Sequence, residues 1–247
     1  MAESTVIGRG TRAAIWAGFY VLCWLLMGLS CEVDLPRDCR RASEPMEVLI
    51  ELPVLLAFAL GQAVLCDILD GARFEGLISK AYFPVVVVAS GLIISAFNGV
   101  DELRELRDAD GKFSALQTVI SVALVALVCF ALLYHFLLAW RHLPGAVLIS
   151  GGAENIVPPP ERQGENQFVE YCVFRGLVVA YFILFGVFAF ERDDGWEYHY
   201  ILLAWVLSLV ARFNDTLSVV WLGVTTAVFL QGIGAYSLRF LSPERFD

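Results

Sequence analysis

Charge is scarce in this chain: Asp, Glu, Lys and Arg make up 17% of its 247 residues, against 58% hydrophobic residues and a mean hydropathy of +0.69. Soluble domains carry about 25% charge and about 45–50% apolar residues, so the composition excludes an ordinary water-soluble fold. Histidine occurs only at His135, His142 and His199. His135 and His142 would lie roughly 10.5 Å apart along a helix, too far to share one metal. No C-x-x-C occurs, so a zinc knuckle or thioredoxin-type site has no support. G-x-S-x-G, H-E-x-x-H and Walker A patterns are absent as well. No cofactor is expected. The formal net charge of −9 argues against nucleic acid as a partner and against a polybasic lipid-binding surface.

What the chain has is long apolar runs, and the last two organise the rest. They form a hairpin over residues 196–239, joined by the polar turn Arg212, Phe213, Asn214 and Asp215. The second run, 216–239, is about 24 residues or roughly 36 Å, enough to cross a hydrocarbon core of about 30 Å with tilt. The first, 198–211, is about 14 residues or roughly 21 Å. It crosses only if Trp196, Tyr198, His199 and Tyr200 sit in one headgroup layer and Arg212 snorkels into the other. Asp215 or Thr216 suits the N-cap of the second helix. Gly223, Ala227 and Gly234 offer close helix contact.

Further runs at about 13–29, 46–69, 82–97, 116–140 and 173–190 complete an all-α polytopic bundle of about seven spans, within a range of six to eight. Residues 1–247 read as one transmembrane helical domain. Arg9 and Arg12 before the first run and small residues after it also fit a signal peptide; a retained first helix is the reading adopted. Ser43-Glu44-Pro45 is a favourable helix start, and Pro53 is placed to kink the second span. The segment 66–76 reads as a polar turn, 98–113 as a solvated surface helix plus turn, and 143–170 as a loop. Of six cysteines, Cys31 and Cys39 alone flank a polar loop and are able to close a disulfide on an oxidising side. The basic residues divide nearly equally between the two faces, so the positive-inside rule gives no orientation.

Two motif-like stretches fail on inspection. The segment Asp67-Ile68-Leu69-Asp70-Gly71-Ala72-Arg73 resembles the opening of the CDP-alcohol phosphotransferase motif, which implies a divalent metal on spaced aspartates. Only Ala72 separates Gly71 from Arg73, where that family has a longer spacing, and no further aspartates follow in the next run. Asp108-Ala109-Asp110-Gly111 resembles part of a calcium loop, but Leu106 and Gln117 stand at key ligand positions. Seven spans also bring a retinal protein to mind. The only lysines are Lys80 and Lys112, so the last helix holds none for a Schiff base.

One resemblance spans the hairpin. His199, Tyr200, Ile201, Leu202, Arg212, Ser218, Gly223, Phe229, Gly232 and Ile233 follow a pattern similar to the last two membrane helices of fungal LCCL-domain proteins, over about 40 residues. The resemblance implies a polytopic endomembrane or cell-surface protein and brings no assigned chemistry.

The ionisable groups in or beside lipid are the functional candidates, since such groups are costly unless they face a cavity or each other. They are Glu51, His135, His199, Arg212 and Asp215. Glu51 lies one turn deeper than Glu47 on the same helix face; the plainer reading is an interfacial acid. His199 with Glu191, Asp193, Asp194 or Glu197 suggests an interfacial acid–base or metal cluster, or else a histidine in an aromatic belt. Arg212 and Asp215 read as a turn fixed by charge or as a pathway pair. Three functions are consistent with these groups: transport along a small-solute pathway, a scaffold or assembly subunit without catalysis, and an intramembrane enzyme acting on lipid headgroups. The bilayer is the expected partner; protein partners and a homo-oligomer stay open.

Overall fold

The structure, a computed structural model, describes residues 7–31, 45–98, 115–143, 167–189 and 196–236. These residues form eight helices and no strand: α1 (Arg9–Ser30), α2 (Pro45–Leu65), α3 (Gly71–Ile78), α4 (Tyr82–Asn98), α5 (Ala115–His142), α6 (Gln167–Ala189), α7 (Trp196–Ser208) and α8 (Thr216–Tyr236). α1, α2, α5 and α8 are each long and apolar enough to cross a membrane. A fifth span results if α3 and α4, bent by 66° at the short break between them, act as one. The apolar surface is compatible with an integral membrane protein. Leu22, Leu29, Leu49, Ile50, Val85 and Ile93 point outward, an arrangement that water penalises and lipid does not.

α8 sits at the centre. It packs most extensively on α4 and α7 and then on α1, while α1 also lies along α2 and α4. Its sequence is apolar around the whole circumference, the pattern of a helix enclosed by others, and Val219, Leu222, Ala227, Phe229, Leu230 and Ile233 are all buried. Small residues set the close approaches. A Cβ on Gly223 would lie 2.8 Å from Val86 Cγ1 of α4, one on Gly232 would lie 2.4 Å from Ile201 Cγ1 of α7, and one on Gly234 would lie 3.2 Å from the Gly28 amide of α1. Phe229 meets Phe58 of α2 edge-on at 5.1 Å and Tyr20 of α1 at 6.3 Å. α5 and α6 form an outer pair with its own small core of Ala139, Phe168 and Tyr171.

Several boundaries differ from the sequence reading. The second span stops at Leu65, because Asp67 takes a left-handed backbone conformation (φ 54°) and the Ile68 amide turns back onto the Ala63 carbonyl at 2.8 Å. Asp tolerates that conformation better than most residues. The segment read as a turn is largely the helix α3, started by the Asp70 side chain, which accepts from the Ala72 and Arg73 amides. α6 begins at Gln167, earlier than the expected 173, inside what was read as a loop. The surface helix expected over 98–113 lies almost wholly outside the described residues, as does the rest of 143–170 up to Asn166. Cys31 is disulfide-bonded, while Cys23, Cys66, Cys129 and Cys172 are free thiols. Cys39, the expected partner of Cys31, lies outside the described residues.

Candidate functional site

The helices alternate direction, so the start of α1, the α2–α3 corner, the end of α5, the start of α6 and the α7–α8 turn meet at one end. Arg12 in α1 reaches the Leu69 carbonyl, His142 in α5 lies by Phe213, and Lys80 reaches the Asn214 carbonyl. Every Lys and Arg among the described residues belongs to this end: Arg9, Arg12, Arg73, Lys80, Arg141, Arg175 and Arg212.

At its centre is the unwound end of α7. The last carbonyls of any helix lack intrahelical donors, and in a bilayer no bulk water replaces them. Here five consecutive carbonyls are taken by five different side chains. Trp221 Nε1 donates to Leu207 (2.9 Å), the Cys66 thiol to Ser208 (3.4 Å), Arg175 Nε to Leu209 (2.8 Å), the Tyr171 hydroxyl to Val210 (2.7 Å) and Arg73 Nη2 to Ala211 (2.9 Å). Arg73 Nη1 also donates to the Phe213 carbonyl and to Asn214 Oδ1. Arg175 Nη2 caps a second helix end, the Leu65 carbonyl of α2, at 2.7 Å. Its guanidinium lies 4.1 Å from the Tyr171 ring centre. Both arginines are buried, at 4% and 8% exposure. Guanidinium groups at helix C-termini are favourably placed in the field of the backbone dipoles.

The expected residues lie in different parts of the bundle. Arg212 and Asp215 are both at this end but are not paired with each other. Arg212 forms its ion pair with Asp67 of the α2–α3 corner, which corrects the reading of a turn closed by Arg212 and Asp215. Asp215 is the N-cap of α8, accepting from the Ser218 amide at 2.9 Å. Burial raises its carboxyl pKa, but the Ser218 amide, the Tyr134 hydroxyl and the Leu217 amide outweigh it and leave the group below its ordinary value. His135 is 2% exposed on α5. Its Nδ1 donates to the Ala131 carbonyl at 2.7 Å, and Nε2 is buried without a hydrogen-bond partner among the described residues. Glu51 is far from this end, on α2. It is 5% exposed and shares the inward face with Leu55, Ala59 and Ala63. His199 lies in the first turns of α7, and its side chain is outside the described set.

A second polar cluster joins four helices within the bundle. Tyr20 of α1 donates to Gln62 Oε1 of α2, and Gln62 Nε2 reaches Ser208 Oγ at the end of α7 and Thr226 Oγ1 of α8. All four side chains are buried.

Arg73, Arg175, Gln62 and Tyr171 were not among the expected residues. Arg175 carried a signal, being the one charge within the phenylalanine-rich fifth run, near its start. Gln62 and Tyr171 carried none that separates them from neighbours. Among the described residues no group of three or more His, Cys, Asp or Glu side chains is placed to hold a metal ion. The chain matches no known protein family, no characterised protein and no solved structure.

Proposed function

We propose that the chain is a multi-pass integral membrane protein of about seven spans that serves as a membrane scaffold or assembly subunit without catalysis. The observation that carries this reading is the use made of the buried charges. Arg73 and Arg175 direct their donors at main-chain carbonyls of α2 and α7 and so act as pins between helix ends. The polar cluster around Gln62 plays the same part deeper in the bundle. The count of seven rests on adding α6 and α7 to the five spans that length and composition support. The similarity of the α7–α8 region to fungal LCCL-domain membrane helices favours an endomembrane or cell-surface location. The disulfide at Cys31 supports an orientation with the end of α1 on the oxidising side, which leaves the basic end facing the cytoplasm.

Transport is the second reading, and Glu51 favours it. A carboxylate on the inward face of α2 is an unusual element of pure packing. Proteoliposome flux of protons and common ions separates the two. The scaffold reading expects no flux from the native protein and none from Glu51→Gln. A native flux that Glu51→Gln abolishes, in protein that remains folded, assigns a pathway through Glu51 and overturns it.

A further inference from the structure

Among the described residues, the basic end holds more positive charge than its carboxylates neutralise. Its seven cations face five carboxylates among the described residues, Asp67, Asp70, Glu75, Glu170 and Asp215. Two of those acids are engaged as helix caps, Asp70 for α3 and Asp215 for α8. Glu75 and Glu170 are exposed. Among the described residues one ion pair, Arg212 with Asp67, joins opposite charges there. The buried guanidinium groups of Arg73 and Arg175 meet carbonyl dipoles rather than carboxylates, and Arg73 Nε is buried with no hydrogen-bond partner among the described residues. A charge held in a low-dielectric region with no carboxylate in contact projects part of its field outward.

Around these two stand half-buried cations with donors to spare. Arg12 uses Nη1 for the Leu69 carbonyl, and its Nη2 lies 3.1 Å from the position of a Cβ on Gly71, at the first residue of α3. Lys80 uses one of its N–H groups on the Asn214 carbonyl, which leaves two of the three an ammonium offers. Both residues sit at helix ends, Arg12 in the first turn of α1 and Lys80 in the break between α3 and α4.

We infer that this end binds the phosphate of an acidic phospholipid, with Arg12 and Lys80 as direct donors and buried Arg73 and Arg175 supplying the field that favours an anion. The lipid source is preferred to free phosphate because the donors lie at the bundle margin and the cytoplasmic leaflet is rich in anionic lipid. The inference rests on the membrane reading and is independent of whether the protein is a scaffold or a transporter.

The test is the Tm of the purified full-length protein in detergent with added phosphatidylserine, phosphatidylcholine or inorganic phosphate. Phosphatidylserine at saturation is expected to raise Tm by about 5 °C or more, and phosphatidylcholine by much less. The double variant Arg12→Gln/Lys80→Gln is expected to lose most of the selective shift. The charge-preserving pair Arg12→Lys/Lys80→Arg is expected to keep it, which controls for damage to the fold. Equal shifts with both lipids, or an undiminished shift in the neutralised variant, would overturn the site. A shift reproduced by inorganic phosphate would overturn the lipid assignment.

Discussion

Arg73 and Arg175 do for the end of α7 what water does for a helix end in a soluble protein. Each supplies donors to carbonyls that would otherwise be stranded in an apolar setting. Asp215 is a smaller device of the same kind, satisfying an amide at the start of α8. Its carboxyl titrates below the ordinary value of 3.8 in the folded protein, so the charged form is favoured by folding. The stabilisation is therefore complete above the unfolded value and is lost as pH falls through the lower folded value. Asp215→Ala is expected to lower stability by about 1 kcal/mol at neutral pH. The gap between native protein and variant should close as pH falls below the ordinary carboxylate range in detergent melts, and a gap that widened on acidification would contradict the cap assignment.

At the scale of elements, helices in the bundle approach as closely as glycine allows. Gly232 of α8 faces Ile201, and a methyl group there would overlap it; Gly18 of α1 has open space where a Cβ would go. Gly232→Ala is expected to destabilise by about 1–3 kcal/mol through overpacking, while Gly18→Ala is neutral or stabilising by up to about 1 kcal/mol. Comparable melts for the two variants would show that the α7–α8 contact is looser than described. This level of structure was the most legible in the sequence. The runs at 82–97 and 116–140 match α4 and α5 within two residues at each end, because a long apolar run in lipid has no alternative to a helix. α3 was missed because it is only eight residues long and of mixed polarity, too short beside the long apolar runs to stand out as an element. The stop at Leu65 was missed because it depends on the backbone of Asp67 rather than on an apolar-to-polar change.

For the molecule as a whole, the distribution of charge by end matters more than its sum. A net charge of −9 suggested no basic surface, yet the described cations all collect at one end. That was illegible in the sequence because Arg73, Arg175 and Arg212 are far apart along the chain and meet only once α3, α6 and the α7–α8 turn are packed. The partner of Arg212 shows the same limit: Asp215 is near it in sequence, whereas Asp67 is near it in space. On the proposed orientation, Ser79→Cys in the exposed α3–α4 break is expected to react with an impermeant maleimide only after permeabilisation. Labelling in intact cells would reverse the orientation.

The most direct test of the packing role is the Tm of Arg175→Leu in detergent beside that of the native protein and of Glu51→Gln. Removal of Arg175 strands the Leu65 and Leu209 carbonyls, at a cost of about 2–4 kcal/mol or a fall in Tm of roughly 10 °C. A fall of that size for Arg175→Leu is the predicted result. A native-like Tm for Arg175→Leu would contradict the claim that the buried charges exist to hold the helix ends together.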